Sequence, residues 1–152
     1  MADIIPSEYT GIRVDIRWVR VALDVPLADL YDYQSAEPVE VGDRVIVAFG
    51  RRKMIGVVVG LPEAPGFDPS KVKEVLAVLK DIPPLSQSWL HFATFAAEYY
   101  QRPLGEVILP ALPMPLRSVA SYHGKRSGAG PVARLAKRRA AQQEAAVTST
   151  VP

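Results

Sequence analysis

Apolar and polar positions begin to alternate at Arg17. Val19, Val21, Leu23 and Val25 fall on one side, and Trp18, Arg20, Ala22 and Asp24 on the other. A period of two marks a half-buried strand, and Pro26 ends it. Leu30–Gln34 forms a short second strand, with Tyr31 and Tyr33 facing one way and Asp32 the other. Glu40-Val41-Gly42-Asp43 reads as a turn. Val45, Val47 and Phe49 then alternate with Arg44, Ile46 and Ala48. Gly50-Arg51-Arg52-Lys53 is a polar hairpin connection, and Met54–Leu61 is the return strand. Its glycines, Gly56 and Gly60, predict a bulge, a barrel corner or a close backbone approach. Short strands broken by such turns favour a small, strongly bent barrel over a flat sheet.

Pro62–Ser70 is loop by composition. Lys71–Lys80 fits two patterns. Val72, Val75, Leu76 and Leu79 make a helix face, whereas Lys73, Val75, Ala77 and Leu79 make a strand face. The valines and the flanking prolines tilt the reading to a strand that closes the barrel. A helix follows Pro83-Pro84, with Ser86 or Ser88 as N-cap. Its apolar face carries Leu90, Ala93, Ala97 and Tyr100, widened by Phe92, Phe95, Ala96 and Tyr99. Gln101-Arg102-Pro103 ends it. So wide a face is expected to cover an open mouth of the barrel. Pro110–Pro115 reads as a rigid, extended exit. The expected class is mostly β with one main helix, a small OB-like β-barrel with a flexible basic C-terminal tail. The expected boundaries are 1–16 for an N-terminal extension, 17–117 for the domain, and 118–152 for a disordered tail or the start of a further region.

Composition narrows this picture. The chain has 152 residues, 49% of them hydrophobic, enough for a real core. It has no cysteine, which excludes disulfides and thiolate zinc sites. No apolar run approaches the ~20 residues of a membrane-spanning helix, and the N-terminus lacks the pattern of a secretory signal, so a cytoplasmic, nucleoid-associated location is expected. The net charge of +2 hides a split. Residues 116–152 hold seven Lys/Arg against one acid, and residues 1–115 hold eleven against fifteen. A folded unit that is net negative does not gather phosphates indiscriminately, so any nucleic-acid binding has to be local.

Catalytic signatures fail. Gly124-Lys125-Arg126-Ser127 has Arg126 where a phosphate loop needs Ser or Thr. His91 and His123 lack ligand spacing, and Asp29 with Asp32 suggests no acid–base pair. No catalytic residue and no metal site is expected. Three features suit binding instead. Tyr31-Asp32 sets a stackable ring beside a carboxylate, or else a core tyrosine beside a solvated acid. Phe49-Gly50 either opens a backbone amide to a ligand or is ordinary hairpin chemistry. Arg51, Arg52 and Lys53, with Lys71 and Lys73, form a small positive cluster or a solubilising loop. A carboxylate in a nucleic-acid site penalises an internal phosphate and favours a hydroxyl, which a DNA strand presents at its 3′ end.

VALDVPL (21–27), Tyr31-Asp32-Tyr33, VGDRVIVAFG (41–50), IGVVVG (55–60), KVKEVLAVL (71–79) and AAEYYQRPLGEVILPALPMPLR (96–117) occur in order. Together they resemble the N-terminal 3′-DNA-end-binding domain of the PriA (primosomal protein N′) replication-restart helicases. The resemblance implies an OB-like barrel that takes the 3′-OH end of the nascent leading strand at a fork. It places the pocket aromatic on Tyr31, where phenylalanine is also common, the acid on Asp32, the glycine on Gly50 and the lysine on Lys73. Arg51, Arg52 and Lys53 are candidate phosphate contacts further along the strand. Implied partners are forked DNA, the remaining PriA domains, other primosome proteins and single-stranded-DNA-binding protein.

The family's ATPase lobes and cysteine-rich zinc region have no counterpart in these residues. ATP, Mg²⁺ and zinc are therefore implied only for a larger protein, and the chain reads as an N-terminal fragment that is not itself an enzyme. On pattern alone, a KOW- or SH3-like RNA-binding barrel and a protein-interaction module remain rival readings.

Overall fold

The computed structural model describes residues 16–122 and 139–142. Five strands form one antiparallel sheet: β1 Arg17–Leu23, β2 Tyr31–Ser35, β3 Arg44–Phe49, β4 Arg52–Gly60 and β5 Ala77–Leu79, in the order β2-β1-β4-β3-β5. The sheet curls until its edges share one segment. Gln34 N of β2 donates to Lys73 O at 2.9 Å, and its own carbonyl accepts from Val75 N at 2.9 Å. One residue on, Leu76 N turns to Ile46 O of β3 at 2.8 Å. Lys73–Leu79 thus closes the curl, as the strand reading of this region expects. Only Ala77–Leu79 is a regular strand, because the segment changes partner midway; Pro69–Lys71 is a turn of 3₁₀ helix. The result is a mostly-β, OB-like domain.

Strand β4 runs through the middle and is buried on both faces. Val58 joins Val19, Val21, Leu23, Val45, Val47 and Tyr33 inside the curl. Ile55 and Val57 join Ala22, Leu90, Ala93 and Ile108 outside it. This explains the unbroken apolar run 55–59, which alternation alone does not produce. Gly56 permits it: a Cβ there would lie 2.3 Å from Val21 Cγ1 and 2.9 Å from Ala22 O. The β1–β4 register shifts between Arg20 and Val21, opposite Gly60 and Val58, so a bulge bends the sheet at that corner.

Three helices form the outer layer: α1 Gln87–Tyr100, α2 Leu104–Ala111 and α3 Met114–Arg117. Ser86 caps α1 by accepting Trp89 N at 3.2 Å. Two expectations change here. The aromatic half of the α1 face is not covered: Leu90, Ala93 and Ala97 are buried, while Phe92, Phe95, Tyr99 and Tyr100 lie in solvent. The stripe Leu90, Ala93 and Ala97, with Trp89 partly buried beside it, is what α1 turns toward the outer core and its neighbour α2. It is α2 that lies on β1 and β4. There Gly105 sits so close to β1 that a Cβ would be 1.7 Å from Leu23 O. Second, Pro110 lies within α2 rather than in an extended exit. Burial of Ile108 and Leu109 offsets the lost N–H, and Pro115 falls in the first turn of α3, where no intrahelical donor is needed.

The compact unit continues through Tyr122. Buried Arg44 of β3 donates to Leu116 O and to Tyr122 Oη, both at 2.7 Å, and pairs with Asp81. Tyr122 in turn donates to Asp81 Oδ2 at 2.9 Å. Burial pushes the Tyr122 phenol up, so it stays a neutral donor. Most of the expected tail lies outside the described residues; Arg139–Gln142 is helical and exposed.

Removing one member of a buried ion pair strands the other. Asp81→Ala should therefore cost about 3–5 kcal/mol in urea unfolding. The paired replacement Arg44→Met/Asp81→Leu should cost clearly less, since it removes both charges together.

Candidate nucleic-acid interface

Tyr31 with Asp32, Gly50 and Lys73 come from three segments distant in sequence, yet all four residues line one open cavity of about 220 Å³. Phe67 and Lys71 complete its rim. The volume is below the ~300–1,000 Å³ of pockets for drug-sized ligands. It suits one flat group.

Each side chain is placed by the strands. Tyr31 opens β2 and leans on the inner core, its ring edge-to-face with Phe49 at 4.9 Å and 74°. Burial, reinforced by the Asp29 carboxylate, raises its phenol pKa. Its hydroxyl is buried with no partner among the described residues. Tyr33, next on the same face, donates to Ala48 O at 3.0 Å and ties β2 to the end of β3. Burial and Tyr31 push its pKa up to about 12.

Asp32 projects from the opposite face and is not solvated. Its side chain is only 4% exposed. Directly across the β1–β2 ladder stands Arg20, which grips the carboxylate with Nε to Oδ1 at 2.8 Å and Nη2 to Oδ2 at 3.0 Å. Gly66 N adds a bond to Oδ2 at 2.7 Å. A carboxylate offers about four acceptor directions. Among the described residues three are taken, two on Oδ2 and one on Oδ1, and one on Oδ1 remains. The Arg20 hydrogen bonds hold the Asp32 carboxyl below the usual carboxylate range; burial opposes this and the Gly66 N–H reinforces it.

Gly50 has φ +59° and begins a two-residue loop, since Phe49 pairs with Arg52 and Ala48 with Lys53. That is the position where a type II′ hairpin takes glycine. Space beside it is open, with nothing within 4 Å of a built Cβ. Arg52 and Lys53 therefore belong to β4 rather than to the connection. Arg51 and Arg52 stand exposed at the tip, next to the cavity mouth. Lys53 faces another depression, with Asp24, Met54 and Arg117, so the basic run does not act as one cluster. Lys71 and Lys73 are exposed at the cavity, and among the described residues none of these five cations joins an ion pair.

Two neighbours escaped the sequence reading. Arg20 shares the outward side with Asp32, but only the β1–β2 register sets them opposite each other. Phe67 was visible as a lone ring in a polar loop. His91 is exposed on α1, and His123 with Gly124-Lys125-Arg126-Ser127 lies outside the described residues. No described helix is long and apolar enough to cross a membrane.

A curled five-stranded sheet with an open, cation-rimmed cavity places this chain among the small OB-like domains. Residues 20–113 match the family described as the PriA 3'DNA-binding domain (3'BD), and the chain belongs to that family of DNA-binding domains. It is also 41% identical over 105 residues to the replication restart protein PriA of Haemophilus influenzae. That match covers 66% of this chain and 14% of the relative's length.

The Asp32 bridge sets a pH dependence. A carboxylate whose pKa is lowered by folding stabilises the fold above its unfolded value, about 3.9, and loses that contribution as pH falls through the folded value. Asp32→Asn should lower stability by about 1 kcal/mol at pH 7, modest because Arg20 is 38% exposed. Urea unfolding should show the gap to wild type narrowing below pH 4. A gap unchanged at pH 2.5 would contradict the bridge as its source.

Proposed function

We propose that this domain holds the 3′-OH end of a DNA strand at a fork. In a longer restart protein it positions an ATP-driven 3′→5′ helicase on forks that carry a leading-strand end. The observation that carries this reading is the convergence of Tyr31, Asp32, Gly50 and Lys73 on one cavity. Tyr31 supplies a face for the terminal base, and any base has such a face. Asp32 offers one free acceptor, and a terminal hydroxyl is a donor that fits it. A 3′-phosphate brings acceptor oxygens and further negative charge to a carboxylate that can only accept. Gly50 leaves the mouth open, while Lys73 contacts the last internal phosphate. Arg51 and Arg52 extend that contact along the strand.

Fluorescence anisotropy with 3′-tailed forks tests this. The 3′-OH end should bind at least about 10-fold tighter than the same strand ending in 3′-phosphate, the scale of one hydrogen bond to a charged group. Equal affinities would refute the end-reading. Tyr31→Ala should cost about 1–3 kcal/mol for every terminal base. Lys73→Ala should weaken binding of all sequences alike and lower the slope of log K against log salt by about one.

A further inference from the structure

The cavity has a second aromatic wall that no resemblance assigns. Phe67 stands on the loop between β4 and β5, half exposed at 49%, and lines the same cavity as Tyr31. An apolar ring left in water on a polar loop costs free energy unless something covers it. The loop is not free to fold the ring away, because both flanking residues are tied. Gly66 N is bonded to Asp32 Oδ2 at 2.7 Å. Asp68 accepts Ser70 N at 3.0 Å and Ser70 Oγ at 2.8 Å, capping the short 3₁₀ turn. Its carbonyl also accepts Lys71 N at 3.0 Å. The Gly66 bond ties the loop to β2, and the Asp68 cap shapes the turn that follows, so the backbone on both sides of Phe67 is held. Tyr31 reaches the cavity from the barrel side, and Phe67 reaches it from the loop side.

We infer that Phe67 is a second stacking residue of the end site, so that the terminal base is taken between two rings and must leave its base pair to enter. This rests on the end-reading proposed above. A base held between Tyr31 and Phe67 has both faces covered, which a base still stacked on its duplex neighbour cannot offer. The site therefore selects a frayed or single-stranded 3′ terminus over a blunt, paired one. Asp32 acts on the same event twice: through its free acceptor direction, and through Gly66, which sets Phe67.

The test compares wild type, Phe67→Ala and Phe67→Trp on three single-stranded oligonucleotides. Two carry a 3′-OH, one on a normal nucleotide and one on an abasic nucleotide, and the third is a 3′-phosphate control. Phe67→Ala should lose about 10-fold in affinity for the base-bearing end and nothing for the abasic end. Phe67→Trp should retain wild-type affinity. Wild type should also bind a frayed 3′ terminus more tightly than a fully paired one, and Phe67→Ala should narrow that difference. Equal losses on base-bearing and abasic ends would overturn the inference, since a merely structural role acts on both. Wild type that fails to separate 3′-OH from 3′-phosphate would bring down the end-reading and this inference with it. That failure appears in the wild-type titration alone, before any Phe67 variant is compared.

Discussion

One strand carries two cores. Because β4 is covered on both faces, the inside of the curl and the helix layer are built on the same nine residues, Arg52–Gly60. Its neighbours must come close enough to exclude water from both sides at once. Gly56 and Gly105 are where that closeness is most severe: one admits β1 to β4, the other admits α2 to β1. With α2 packed over β1 and β4, the candidate cavity opens between β2, the β3–β4 hairpin and the Lys71–Lys73 segment. The position of the candidate site follows from where the packing has no further elements to use.

Strands were legible in the chain because alternation is a local signal. Val19, Val21, Leu23 and Val25 do line the inner core. The helix cap at Ser86 was legible for the same reason. What stayed hidden depends on contacts between distant residues. The aromatic positions of α1 looked like core because a helix face is inferred from period alone. The structure covers only Leu90, Ala93 and Ala97, as α2 supplies the larger part of the layer. Pro110 looked like the start of an extended exit, yet the buried side chains before it hold the last turn of a helix. Lys71–Lys80 fitted two periods because it has two successive partners.

The site shows the same division. Residue types suggested a ring, an acid, a glycine and a lysine, and the fold gathers those four. Neither reading of Asp32 at the sequence level included a cross-strand arginine. Arg20 and Asp32 are twelve residues apart, and only the register of a hairpin with a long connection brings them together. The cations divide as well. Lys73 and Lys71 stand at the cavity, Arg51 and Arg52 at the hairpin tip, and Lys53 elsewhere.

The Arg20–Asp32 bridge has a consequence for ionic strength. The Asp32 charge is already balanced by Arg20, so on the proposed reading its remaining acceptor direction would work through a short-range hydrogen bond. Counterions screen fields over about 10 Å but compete weakly for a single buried lone pair. The cations at the rim and tip, which join no ion pair among the described residues, would behave oppositely, since their hold on phosphate depends on releasing counterions into a bath that salt enriches. On the proposed reading, strength of attachment and choice of terminus are carried by different residues with different salt dependence. A rise in salt then loosens the domain from DNA generally while leaving the hydrogen bond at Asp32 itself little changed.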